Sequence, residues 1–354
     1  MLPGPTPLPP EVQQALLKPM CNHRSEAWKE VVFEVEAGLQ WFHETTSRVL
    51  VFAGSGTTGM EASITNLFSP GDRVLVVTQG SFGERFALMN RIYGLACDTL
   101  SYEWGELPRL EDLEQHLKEN KPYKAVFLVH NETSTGVLLP LEPWAKMAKA
   151  HGALVIVDAI SSLGTTPLPM DQWDIDIVLS ASQKSYACPP GLSMVAISDA
   201  AWEAHGKAKL PRYTLDFSLT RDYADKGWNP WTPPVSLYYA LQAALRLHQK
   251  KGLTALHQHH EVLMQTVRKG LRQMGLQLFI KNDDFASRAV TPVYPPDGIA
   301  ADTLRERLRS QGITLGGGQR KLTGRIFRVG HLGYQNLTTV RGVLQAIEST
   351  LATL

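Results

Sequence analysis

The feature that most limits how this chain can fold is an alternation of short apolar runs with helix-spaced segments, starting at Arg48. Val49–Ala53 reads as a strand, and Gly54-Ser-Gly-Thr-Thr-Gly59 as a turn that opens a helix running to Phe68. Arg73–Thr78 is the next strand, followed by Gly80-Ser-Phe-Gly83 and a helix to Tyr93. Ala96–Ser101 and Ala125–Val129 continue the pattern around the helix Leu110–Asn120, and the helix Leu141–His151 leads into Leu154–Asp158. Ile175–Leu179 and Met194–Ile197 are further apolar runs. Strands alternating with helices in this way predict an α/β fold, a mostly parallel sheet covered by helices on both faces. In such sheets ligands bind beyond the carboxyl ends of the strands. Gly54–Thr58, Phe82, His130–Thr135, Asp158 and Ser182–Lys184 all fall at those ends.

The alternation loosens after Ile197 into an irregular, aromatic stretch from Tyr213 to Pro234. Helical spacing returns over Val235–Gln249 and Leu253–Met274. The remaining runs, Gln277–Ile280, Ala289–Tyr294, Ala300–Gln311, Arg325–Val329 and Leu337–Leu354, predict a small α+β domain. A chain of 354 residues exceeds one typical domain. The expected division is an N-terminal segment with a large domain over residues 1–252 and a small domain over 253–354. Residues 1–10 carry five prolines and must be extended. Gly4–Pro5 before Thr6 has the character of a segment laid across another surface. From Ser25 to Thr46, Trp28, Val31, Val32, Val35, Leu39 and Phe42 form one helical stripe, expected in the core.

A formal net charge of +1 argues against a nucleic-acid or membrane-surface partner. The three cysteines, Cys21, Cys97 and Cys188, are far apart and suit a reducing compartment better than a disulfide framework. No apolar run is long enough to span a bilayer, the first residues do not have the order of a signal peptide, and a cytoplasmic location is expected. His257, His259 and His260 lack strong ligand spacing, so a solvated helix face is expected there and no metal site.

Among the strand-end residues, Asp158 closes one apolar run and Lys184 follows a later one. A strand-end aspartate with a lysine among small hydroxyl residues suggests pyridoxal phosphate chemistry: lysine forms an imine with the cofactor and aspartate holds the protonated pyridine nitrogen. A free lysine is only about one part in two thousand neutral at pH 7, which makes it a poor unaided nucleophile. As an imine it is exchangeable with a substrate amine, and once released it can shuttle a proton. Each residue alone also reads as ordinary surface or turn chemistry; the pair outweighs that. The Gly54–Gly59 loop can point backbone N–H groups at a phosphate, and it matches neither a P-loop nor a dinucleotide fingerprint. Phe82, between glycines, is placed to stack on a flat cofactor. Arg328, alone in the apolar run Phe327-Arg-Val-Gly330, calls for an anion such as a substrate carboxylate, unless the run is a partly exposed edge.

With these residues in view, the chain resembles the class V (fold type I) aminotransferases, and more narrowly the alanine–glyoxylate, serine–glyoxylate and serine–pyruvate group. The resemblance covers nearly the whole length. It rests on the ordered set Pro3-Gly-Pro-Thr-Pro-Leu-Pro-Pro10, Gly54-Ser-Gly-Thr-Thr-Gly-Met-Glu-Ala62, His130-Asn-Glu-Thr-Ser-Thr-Gly-Val137, Asp158-Ala-Ile-Ser-Ser-Leu-Gly164, Ser182-Gln-Lys184, Pro189-Pro-Gly191, Thr232-Pro-Pro-Val-Ser236 and Arg328-Val-Gly330. It implies a mostly parallel seven-stranded sheet flanked by helices, a smaller C-terminal α+β domain, and a homodimer with the active site at the subunit interface.

The resemblance also implies roles. Lys184 matches the imine lysine and Asp158 the pyridine-nitrogen partner. Gly56, Thr57 and Gln183 match phosphate-binding positions, Phe82 the stacking ring and Thr133 a residue near the ring hydroxyl. Arg328 matches the arginine that binds the substrate carboxylate, and Gly4 lies in the segment lining the substrate entrance. Thr232 matches a residue that reaches the partner's cofactor phosphate, whereas Asn229 stands where some members carry a tyrosine. The implied reaction is ping-pong transfer of an amino group from alanine or serine to glyoxylate or pyruvate. Phosphoserine or aminoethylphosphonate transamination stays open, as does a non-catalytic role in an assembly such as a soluble hydrogenase. Cysteine desulfuration is disfavoured, because no cysteine follows Cys188.

Overall fold

In the computed structural model, which describes residues 1–354, the alternation forms the strands β1 (Arg48–Gly54), β2 (Arg73–Thr78), β3 (Ala96–Ser101), β4 (Ala125–Val129), β5 (Asn131–Glu132), β6 (Val137–Leu138), β7 (Leu154–Asp158), β8 (Ile177–Ala181), β9 (Gly191–Ile197), β10 (Val290–Val293), β11 (Gly316–Gly317) and β12 (Phe327–Gly330). Seven of them make one sheet in the order β1-β9-β8-β7-β4-β2-β3. The β3, β2, β4, β7 and β8 strands are mutually parallel. The β9 strand is antiparallel to both β8 and β1, so β1 points the same way as the parallel set. The carboxyl ends of β1, β2, β4, β7 and β8 therefore share one edge.

The reason these runs become central strands is visible in their side chains. Leu75, Val77, Val126, Leu128, Val155 and Val157 enter the apolar core on one face of the sheet. Val74, Val76, Phe127, Ile156, Ile177 and Leu179 enter the core on the other. Successive strand residues point to opposite faces, so a strand buried on both must be apolar throughout. Burying each such side chain stabilises the fold by roughly 1.5–3 kcal/mol.

Four helices position the edge: α1 (Pro10–Leu16), α2 (Glu26–Phe42), α3 (Gly56–Leu67) and α4 (Ser81–Ile92). The α2 stripe Trp28, Val31, Val32, Val35, Leu39 and Phe42 is buried as its spacing predicts. Its start is capped by Ser25, whose hydroxyl accepts from the Trp28 N–H at 3.3 Å. The helix ends at Phe42, short of Thr46, because Glu44 adopts a left-handed backbone conformation with φ of 49°.

In the C-terminal region β10 and β11 flank β12 in an antiparallel sheet. Leu263, Val267, Leu271, Phe327, Val329 and Ile347 form a core of their own there. Three points left by the sequence are resolved differently or narrowed. The run Gln277–Ile280 makes only a single bridge, Leu278 to Val293. Its neighbour Pro292 accepts from Phe279 but has no N–H to give back, so no ladder can extend. Arg328 lies on the central strand of its sheet and is 5% exposed, which removes the edge-strand reading. The histidine face is not solvated throughout, because His260 is fully buried with its Nδ1 against the carbonyl of His331 at 3.3 Å. No helix is long and apolar enough to cross a membrane.

Candidate active site

The shared edge gathers Lys184, Asp158, Gly56, Thr57, Gln183, Phe82, Thr133 and Arg328, and the N-terminal segment closes over them. Asp158 is the last residue of β7 and is 4% exposed. One carboxylate oxygen accepts from the Ile160 N–H at 2.9 Å, and the other has no hydrogen-bond partner in the chain. Burial raises its pKa to about 6, with Glu132 adding to the rise while the Ile160 hydrogen bond and the charges of Lys184 and Arg85 oppose it. Lys184 follows β8 in a turn held by Ser182, whose hydroxyl donates to the Pro189 carbonyl at 2.6 Å and accepts from the Leu192 N–H at 3.2 Å. Burial lowers the Lys184 amine to about pKa 8; the positive charges of Arg328 and Arg85 add to this and Asp158 opposes it. Near pH 7 the site thus holds a carboxylate and an amine much closer to neutrality than either would be in water.

The Lys184 Nζ donates to the carbonyl of Pro3 at 2.5 Å. Thr6 continues the contact, with its N–H on the Gln183 carbonyl at 3.2 Å and its hydroxyl on the Lys184 carbonyl at 3.1 Å. Gly4 sits between them at φ +121°, and a Cβ there would lie 2.9–3.0 Å from Lys184 Cδ, Cε and Nζ. Only glycine allows the segment to lie so close to the lysine.

At the start of α3, Ser55 makes no capping hydrogen bond and the first turn holds no acidic residue, so the N–H groups there are not neutralised. A Cβ on Gly56 would come within 2.4 Å of Ile160 Cδ1. Thr57 presents its hydroxyl to Arg85 Nη1 at 3.1 Å. The Gln183 side-chain amide has no partner, and its Oε1 is buried.

Glu132, fully buried, was not singled out by the sequence reading, which weighted its neighbour Thr133. Its carboxylate accepts from the N–H groups of Phe82 at 2.9 Å, Gly83 at 3.2 Å and Ser134 at 3.1 Å, and from the Ser134 hydroxyl at 2.5 Å. It therefore caps the beginning of α4 and sets where Phe82 stands, because Gly80 has no side chain to do so. Burial raises its pKa, and those four hydrogen bonds oppose the rise. The only sequence signal was an acid inside an otherwise neutral strand-end motif.

Arg328 donates from Nε to the Gly317 carbonyl at 2.7 Å and from Nη1 to the Thr133 carbonyl at 2.9 Å, which leaves Nη2 without a partner. Thr133 in turn donates to the Ser161 hydroxyl at 2.7 Å. Thr232 does not join this cluster. It is exposed on a separate cavity of about 390 Å³ lined also by Phe52, Thr214 and Trp231. Asn229 turns into its own chain, where it accepts from Trp28 Nε1 at 3.0 Å and donates to the Tyr238 hydroxyl at 2.7 Å.

The polar groups without partners are the test of what this edge accommodates. An aspartate oxygen, a glutamine amide, an arginine Nη2 and uncapped helix N–H groups surround one lysine of lowered pKa, and together they fit a phosphorylated pyridine aldehyde. The family model for class V aminotransferases matches residues 4–335. The chain belongs to the class V aminotransferases. It is a pyridoxal phosphate-dependent enzyme of that family.

Among its relatives in the family, a protein of Synechococcus sp. named as the small subunit of a soluble hydrogenase is 43% identical, over 100% of this chain and 93% of that one. The L-aspartate–glyoxylate aminotransferase of Paracoccus denitrificans is 34% identical over 94% and 85% of the two chains. The crystal structure of an alanine–glyoxylate aminotransferase from Nostoc sp. superposes with a TM-score of 0.95 at 34% identity, covering 99% of this chain and 94% of that one. That likeness extends the class V fold over nearly the whole chain.

Proposed function

We propose that this aminotransferase moves an amino group from a small amino acid, alanine or serine, to glyoxylate or pyruvate by a ping-pong mechanism, as a cytoplasmic homodimer. The observation that carries the substrate size is Arg328: one buried guanidinium with a single unpartnered Nη2, enough for the carboxylate that every amino acid shares.

When bound, pyridoxal phosphate supplies an aldehyde that takes up the amino group and a ring that accepts electrons from Cα. Lys184 is the proposed attachment point and proton carrier. Its amine, brought near neutrality by burial, can take a proton at Cα and return it one atom away. Asp158, with one oxygen unpartnered, is the proposed partner of the ring nitrogen, in a charge-assisted hydrogen bond of roughly 1.5–3 kcal/mol. Gly56, Thr57 and Gln183 are assigned to the phosphate, Phe82 to the ring face and Thr133 to the ring hydroxyl. Gly4 closes the substrate entrance behind Lys184. Thr232, exposed away from Lys184, is assigned to the phosphate site of a second copy. Asn229 has no such assignment, since its side chain is spent inside its own chain. The division of the chain at residue 252 is likewise our reading, supported by the separate core of the C-terminal region.

The Paracoccus relative's name brings aspartate into question as a donor. Half-reactions with alanine, serine and aspartate, followed by the visible absorbance of the bound cofactor and each chased with glyoxylate and pyruvate, test the proposal. Faster turnover with alanine or serine is expected. Aspartate outpacing both would overturn the substrate assignment and leave the aminotransferase intact.

The Synechococcus relative's name supports a second reading, service in an assembly. An isolated chain whose absorbance does not respond to any amino acid would favour it.

A further inference from the structure

The site contains a third cation that no role above uses. Arg85, one turn into α4, places its guanidinium 4.7 Å from the Phe82 ring centroid and donates from Nη1 to the Thr57 hydroxyl at 3.1 Å. It makes no ion pair. Its sequence neighbour Glu84 accepts from Trp104 Nε1 at 2.8 Å and from Arg320 at 3.0 Å, and Glu61 on α3 accepts from the Tyr93 hydroxyl.

The other charges of the site are matched. Glu132 favours the charged form of Arg328. Asp158 and Lys184 stabilise each other's charged forms in the same way. Arg85 acts on both Asp158 and Lys184 through its charge, yet no carboxylate lies within ion-pair distance of it. A partly buried guanidinium with most of its N–H donors free has room for an anion, and its planar fork suits oxygens on phosphorus or carbon.

We propose that Arg85 is the cationic member of the phosphate cradle: held against Thr57 at the start of α3, it supplies the charge that a doubly negative phosphate needs and that backbone N–H groups and neutral side chains do not. The choice of phosphate over a substrate's distal carboxylate follows from position. Arg85 touches Thr57 at the uncapped helix end, whereas it makes no hydrogen bond to Arg328 or to the Pro3 carbonyl on which Lys184 rests. The proposal rests on assigning Thr57 and the α3 start to the phosphate, and a wild-type comparison tests that separately.

The experiment measures dissociation constants of cofactor-free protein for pyridoxal 5'-phosphate and for pyridoxal, by fluorescence quenching, in wild type, Arg85→Gln and Arg85→Lys. Wild type should prefer the phosphorylated form strongly and lose part of that preference when inorganic phosphate is added. Arg85→Gln should weaken pyridoxal 5'-phosphate roughly tenfold to a hundredfold, the range of one charge-assisted contact. Pyridoxal binding should change less than that, and Arg85→Lys should recover part of the loss.

Equal loss for both ligands would overturn the proposal and make Arg85 a support for Phe82 alone. Unchanged cofactor affinity with a raised KM for aspartate but not alanine would overturn it in favour of a distal-carboxylate contact. A wild type with no preference for the phosphate would overturn the phosphate assignment of α3 itself.

Discussion

Asp158 closes β7 and Asp176 precedes β8, so these two buried aspartates stand at opposite ends of neighbouring strands. Asp176, 1% exposed, accepts from Lys149 Nζ at 2.9 and 3.1 Å, from the Val155 N–H at 2.8 Å and from the Ser198 hydroxyl at 2.8 Å. Both its oxygens are met within the chain. Asp158 is almost as buried and has one hydrogen bond. Elements packed on the amino edge of the sheet complete their own hydrogen bonds, and that edge is structural. The carboxyl edge leaves acceptors and donors waiting, and an under-satisfied buried group costs stability that a ligand can return. The same residue type at the two ends therefore serves two purposes, and the difference lies in the partners supplied.

The largest expected effect belongs to the carboxyl edge. Lys184→Ala should slow the half-reaction with alanine by roughly 10²–10⁴-fold or more in stopped-flow absorbance. The cofactor-free protein should melt no lower than wild type, because a buried amine has been removed.

Asp176→Asn should show the reverse pattern. Breaking a buried ion pair is expected to cost about 3–5 kcal/mol in denaturant unfolding of the cofactor-free chain. The KM for the amino donor should stay unchanged in protein that remains folded.

Asp158→Asn sharpens the contrast. Its pKa is raised from 3.8 to about 6, so the native state holds that proton more tightly than the unfolded chain does. The associated stability is complete below pH 3.8 and is lost as pH rises through 6. The asparagine variant escapes that loss. At pH 7 its cofactor-free form should be more stable than wild type by about 3 kcal/mol, while its half-reaction slows roughly tenfold to a hundredfold. A destabilised variant would show that Asp158 is satisfied by its surroundings as Asp176 is.

Arg328→Gln should raise the KM for the amino donor by roughly tenfold or more with a smaller change in kcat. A fall in kcat alone would argue for a positioning role through Thr133. The smallest effect is expected from Gly4→Ala, where strain of about 1–3 kcal/mol falls on a segment that can shift. Turnover should drop several-fold as the Pro3 carbonyl moves off Lys184, with the melting temperature of the whole chain little changed.

Much of the fold was legible because both-faces-buried strands must be apolar without interruption, a pattern that β2, β4 and β7 write plainly in the sequence. Asp158 and Lys184 were legible because each interrupts such a pattern where a strand ends. What escaped depended on distant pieces of chain. Glu132 reaches α4 across fifty residues (132 − 82), and no local spacing announces that pairing. Arg85 reads as one more charged helix residue until the absence of an ion-pair partner is seen in three dimensions. The run Gln277–Ile280 stops at a single bridge for a local reason in a distant place, the missing N–H of Pro292. The docking of Pro3 on Lys184 could be sensed from the prolines as a segment laid on something, but its target lay 181 residues away.

The unsatisfied edge, and within it Lys184, is the proposed point of cofactor attachment. Purified holoprotein reduced with borohydride, digested and examined by mass spectrometry tests it most directly. The reading expects the pyridoxyl group on the peptide carrying Lys184, with no such mass when alanine is added before reduction. A pyridoxyl group on any other lysine, or one on Lys184 that excess amino acid leaves in place, would contradict it.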